Sequence, residues 1–120
     1  MIDHVNLNVR DWTASRAFYA QALAVLGYDV VKEWDGAASG FGRDGQPSFF
    51  IERRDPVSTG IHVAFTADDR ATVDAFHAAA IAAGGTDNGA PGIRWYHPNY
   101  YGAFVLDPDG NNVEAVCHHG

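Results

Sequence analysis

The chain has 120 residues, 47% of them hydrophobic, and a formal net charge of -7, enough for one core-bearing domain with no basic stripe for nucleic acid and no polybasic patch for anionic lipid. No apolar run approaches membrane length, the start lacks a leader-like pattern, and the single Cys117 cannot form an internal disulfide, so the expectation is a cytoplasmic protein whose partners are small molecules or proteins.

The first stretch, Asp3-His4-Val5-Asn6-Leu7-Asn8-Val9, alternates polar and apolar residues and predicts a strand with one buried face. Asp11 then caps a helix whose Phe18, Ala22, Val25 and Leu26 form an apolar stripe, and Gly27 ends it. Three short strands are predicted next, at Tyr28 to Trp34, Ala38 to Arg43 and Ser48 to Arg53, separated by Asp35-Gly36 and by Asp44-Gly45-Gln46-Pro47. The pattern then starts again. Ile61-His62-Val63-Ala64-Phe65-Thr66 repeats the first strand at an offset of 58 residues, and Asp69, Phe76, Ile81 and Gly85 match Asp11, Phe18, Leu23 and Gly27.

The second copy continues with a helix capped by Asp68 or Asp69, striped by Val73, Phe76, Ala80 and Ala83, and ended by Gly84-Gly85. A strand near Thr86 leads into an aromatic, turn-rich excursion from Gly89 to Tyr100, a composition that suits the wall of a site. The chain closes on a hairpin from Tyr101 to Val116 around Asp107-Pro108-Asp109-Gly110. The expected architecture is therefore α+β, one domain over residues 1–120 built from two βαβββ modules, about 1–56 and 57–120. His118, His119 and Gly120 read as a frayed end, and Cys117 as a small buried hydrophobe.

Strand parity gathers the polar residues. His4, Asn6 and Asn8 share one face of the first strand, His62 holds the matching position in its repeat, and Glu114 points with Asn112 and Val116 from the last strand. The apolar faces take the helices, so both histidines lie on the opposite side. Two His and one carboxylate form a set suited to Zn, Ni, Co, Mn or Fe as a divalent ion with open positions. The other reading of each histidine is a hydrogen-bonded residue on a polar face. Asn6 and Asn8 read as substrate-orienting or supporting groups, or as solvated strand residues. Arg94 and Arg43 could meet an anion. Trp95, Tyr96, Tyr100 and Tyr101 read as a cup rim or as packing, and His97 as a turn stabiliser or an acid/base group.

The duplicated βαβββ pattern, with His4, His62 and Asp107-Pro108-Asp109-Gly110-Asn111-Asn112-Val113-Glu114, resembles the vicinal oxygen chelate superfamily of glyoxalases, bleomycin-resistance proteins and extradiol dioxygenases over essentially the whole chain. The resemblance implies an eight-stranded, incompletely closed, barrel-like sheet around a divalent metal ion and a small ligand. It further implies a fourth ligand at Glu52, whose alternative is an ion pair with a neighbouring arginine. A fold shared by many reactions names no substrate. The leading expectation is a metal-dependent lyase or isomerase of glyoxalase type, in which Glu52 or Glu114 can also move protons. A metal-free ligand-binding or antibiotic-sequestering protein and a non-haem iron dioxygenase using His97 are the alternatives. Exposed sheet edges, and the resemblance, imply a homodimer, with the site either within one chain or shared between two.

Overall fold

The computed structural model describes residues 1–120. Its elements run β1 (Val5–Val9), α1 (Trp12–Ala24), β2 (Asp29–Trp34), β3 (Ala38–Arg43), β4 (Gln46–Arg53), β5 (His62–Thr66), α2 (Arg70–Ala82), β6 (Thr86–Ile93), β7 (Tyr101–Leu106) and β8 (Asn112–Cys117). This is βαβββ twice, as the repeat predicts. The two helices begin 58 residues apart, each capped by an aspartate: Asp11 accepts from the Ala14 amide, and Asp69, not Asp68, accepts from that of Thr72.

The eight strands divide into two four-stranded sheets, β1-β4-β3-β2 and β5-β8-β7-β6, without closing into a barrel. In each sheet the first strand of the module pairs in parallel with its last, and the remaining pairs are antiparallel. The excursion after Thr86 is more regular than expected. β6 runs through Ala90-Pro91-Gly92 to Ile93 as an edge strand, where Pro91 needs no ladder donor and register shifts at Gly89 and Gly92 absorb the irregularity. Only residues 94–100 form a true loop.

Leu7, Val9, Phe18, Ala22, Phe65, Val73, Phe76 and Val113 are buried in one continuous apolar core, with Val5 and Val63 packed at its margin. Cys117 belongs to this core, as expected for a small hydrophobe. The core spans both modules. The Phe49 and Phe65 rings, from β4 and β5, stand 5.3 Å apart, and Tyr28 meets Phe65 at 5.5 Å. Because the helix-bearing faces of both sheets look into this shared core, alternation turns their polar faces outward.

Candidate functional site

The outer face of the second sheet carries Glu114 in the middle of β8, the central strand between β5 and β7. Its carboxylate is wholly buried. Such a group must be paired, because desolvating an isolated charge costs many kcal/mol. Glu114 Oε1 lies 2.7 Å from His62 Nε2, and Oε2 accepts the hydroxyl of Tyr100. Burial, and after it the carboxylate itself, push the Tyr100 phenol above its usual range, so it stays a proton donor.

The sequence builds this contact locally. The Arg94 amide donates to the Tyr100 carbonyl, folding the loop back over β7, and Gly102 leaves the room: a Cβ there would meet Glu114 Oε2 at 3.1 Å and Tyr100 at 3.2 Å. Sequence reasoning grouped Tyr100 with the rim aromatics and gave it no partner, because the pairing exists only once this loop closes. His62 is 54% exposed, so its ring is reachable from solvent while its carboxylate partner is not. Beside it, Asn88, Gly89, Arg94, Tyr96, Phe104 and Asn112 line a cavity of about 320 Å³.

The first sheet presents a different surface. His4 precedes β1, is exposed, and places its ring edge-on to Phe50 at 5.6 Å, with Nδ1 2.7 Å from Asp3. Register explains the asymmetry. Glu114 is the partner of Ala64, two residues beyond His62, whereas the partner of Asn6, two residues beyond His4, is Phe50. Glu52 pairs with Asn8, one full pleat further, about 6.6 Å along the strand. It stands over a cavity of about 400 Å³ lined by Asn6, Trp34, Ala37, Ala38, Phe50 and Glu52, with Arg54 Nη1 only distantly at 3.9 Å.

The other candidates separate. Asn6 lines the cavity of the first sheet, whereas the Asn8 side chain donates to the Pro56 carbonyl and its main-chain amide donates to the Ser58 hydroxyl, fastening the connection between modules. Tyr96 lines the cavity beside His62, and Trp95, 88% exposed, stands edge-on to Tyr96 at 5.0 Å. Tyr101 belongs elsewhere: its side chain points to α2, where the hydroxyl donates to Asp74 at 2.6 Å beneath the Arg70 guanidinium, because odd and even positions of β7 face opposite sides. Arg43 donates to the Leu26 carbonyl and packs on Tyr28. His97 is exposed and stacks on His118 at 4.9 Å, so the expected frayed end is anchored through that ring.

Within one chain no three His, Cys, Asp or Glu side chains come together as a metal cage. Each helix packs on the inner face of its own sheet, so His4 and Glu52, which do not meet, and the His62–Glu114 pair lie on the outward faces of different sheets. The His62–Glu114 pair suits a cation in its chemistry. An imidazole nitrogen and a carboxylate oxygen 2.7 Å apart have nearly the spacing of two neighbouring donors on one ion, about 3 Å for bonds of about 2.1 Å, and no Lys or Arg neutralises Glu114.

A family model described as Glyoxalase/Bleomycin resistance protein/Dioxygenase superfamily matches residues 1–115. Among solved structures, a glyoxalase/bleomycin resistance protein from Albidiferax ferrireducens is 31% identical with a TM-score of 0.82, covering 96% of each chain. A lactoylglutathione lyase from Agrobacterium tumefaciens is 27% identical with a TM-score of 0.68, covering 98% of this chain and 92% of that one. A glyoxalase/bleomycin resistance protein/dioxygenase family enzyme from Burkholderia phytofirmans is 25% identical with a TM-score of 0.73, covering 98% of both. No curated protein matches the chain.

Proposed function

The chain belongs to the glyoxalase/bleomycin resistance protein/dioxygenase superfamily, and from that premise we propose that it is a metal-dependent small-molecule enzyme of lyase or isomerase type. The observation that carries this reading is the contact of half-exposed His62 with the wholly buried Glu114, a carboxylate that has no cationic side chain to neutralise it. His62 and Glu114 would hold a divalent cation, with His4 as third ligand from a second copy of the chain, since the outward faces of the two sheets can meet only between molecules.

A divalent cation in that position supplies Lewis acidity to a substrate oxygen. The protein's own groups do the rest. Tyr100 keeps Glu114 fixed by its hydrogen bond, and Glu114 holds the His62 ring in one orientation. Glu52, set in a cavity with Trp34 and Phe50 and lacking a close partner, takes a proton from a substrate carbon beside a carbonyl and returns it to the neighbouring atom.

Elemental analysis of the purified protein, with His62→Ala and Glu114→Gln beside the parent, tests the reading. The parent is expected to carry a divalent transition metal that both variants largely lose while keeping the parent's circular dichroism. A parent that binds no such cation at micromolar concentration would sink the catalytic reading and leave a metal-free ligand-binding protein.

A further inference from the structure

We infer that the cavity beside His62 is a carboxylate pocket that takes a small monocarboxylic acid. This rests on the reading of His62 and Glu114 as the reacting floor. The anchor is Arg94. Its guanidinium forms no ion pair with any Asp or Glu of the chain. Only two main-chain carbonyls accept from it, Ala90 at 2.7 Å and, weakly, Ile93 at 3.5 Å, so donors of its five-donor fork remain for a ligand.

The position is built rather than incidental. The guanidinium lies over the Phe104 ring at 5.2 Å, and two glycines make its berth: a Cβ on Gly89 would stand 3.2 Å from Nη2, and one on Gly92 3.1 Å from Nη1. Asn112 completes the pocket. Its Oδ1 accepts from Asn88 Nδ2 at 3.2 Å, which leaves the Asn112 amide NH2 to donate to a ligand. A planar cation and an amide donor on one cavity wall match a carboxylate.

Charge and size narrow the class. Arg94 is the one charged residue lining this cavity of about 320 Å³. The Asp87 carboxylate, shared between the Gly89 amide at 3.0 Å and His77 at 2.9 Å, and the Glu114 carboxylate beside His62 add negative potential nearby, and the chain as a whole carries -7. One cation in that field compensates a monoanion and leaves a dianionic phosphate undercompensated. The volume, at the small end for ligand cavities, has room for about ten water-sized groups, which suits a small acid. The pocket also adjoins the floor: Asn112 is the strand partner of His62, and the His62 and Phe104 rings are 6.1 Å apart. A carboxylate held here therefore directs the substituents of its neighbouring carbon toward His62 and Glu114.

Titration of metal-free, 15N-labelled protein tests this without depending on the cation. Pyruvate is expected to give saturable shifts of the Arg94 Nε–H and Asn112 side-chain amide signals. Pyruvamide, its neutral analogue, and inorganic phosphate at pH 8 should bind more weakly, and Arg94→Met should weaken pyruvate by about tenfold or more, as loss of a charged hydrogen-bond partner does. Saturable binding by pyruvamide or phosphate as tight as that of pyruvate, an Arg94→Met variant with parental affinity, or no saturable shift at all would overturn the pocket. If carboxylate binds while the parent takes up no divalent cation, the functional reading fails and the pocket stands; cation uptake without carboxylate binding gives the reverse.

Discussion

The hydroxyl of Tyr19, at the centre of α1, donates to Asp107 Oδ2 at 2.5 Å in the β7–β8 turn of the other module, 88 residues away. The same carboxylate accepts the amides of Asp109 and Asn111 and, at 3.1 Å, the Asn111 side chain. Asn111 in turn donates to the Ser58 carbonyl and accepts the Ile61 amide. Helix, inter-module connection and terminal turn thus share one buried polar node. Burial, with Asp107 second, lifts the Tyr19 phenol well above its usual range and keeps it a donor.

Tyr19→Phe is therefore expected to lower stability by about 1–3 kcal/mol, because Asp107 stays buried and loses its strongest side-chain donor. Urea unfolding would measure it. An unchanged midpoint would mean that the node holds without the helix.

Gly85→Ala should also destabilise, by about 1–3 kcal/mol. A Cβ there would lie 2.4 Å from Val105, 2.6 Å from Phe18 and 2.8 Å from the Ala80 carbonyl, and that backbone cannot yield without unwinding the end of α2. A thermal melt at or above the parent's would count against close packing as the reason for this glycine.

Arg16 binds Glu33 through two nitrogens, Nε at 2.5 Å and Nη2 at 3.2 Å, while Ser39 and Trp12 continue the chain of hydrogen bonds from β2 to α1. Arg16 is the main cause that lowers the Glu33 pKa below its ordinary 4.5. A lowered carboxylate pKa adds stability above the unfolded value, and that increment disappears as pH falls through the folded one. Arg16→Met should accordingly cost at most about 1 kcal/mol near neutrality, the group being on the surface. Melts as a function of pH should show the gap to the parent closing below pH 4.5; a gap that persists there would assign the loss to packing on Trp12.

If the site spans two copies, His4→Ala and His62→Ala are each expected to lose most bound metal, and mixing them under conditions that allow exchange should restore it in part. A mixed pair has one site with both histidines and one with neither. Failure of the mixture to recover any metal, or a chain that sediments as a monomer at high micromolar concentration, would exclude the shared site.

The gapless repeat, the two aspartate caps and the parity of His4, His62 and Glu114 were legible in the sequence because each is a local periodicity, and local periodicity sets which face of an element is apolar. The offset of 58 even carried the helix starts. It did not carry the roles of the matched glycines: Gly27 takes φ 85, whereas in the second copy Gly84 takes φ 103 and Gly85 is there for space.

Tertiary structure decided the rest, since pairing register depends on turns and bulges that parity does not count. A shift of one pleat puts Phe50, and not Glu52, where Glu114 stands in the second module. Tyr100 reaches Glu114 only because the Arg94–Tyr100 backbone bond closes the loop. The sequence by itself determined which residues leave the core together; the packing of both sheets against one shared core decided that they leave it on opposite sides of the molecule.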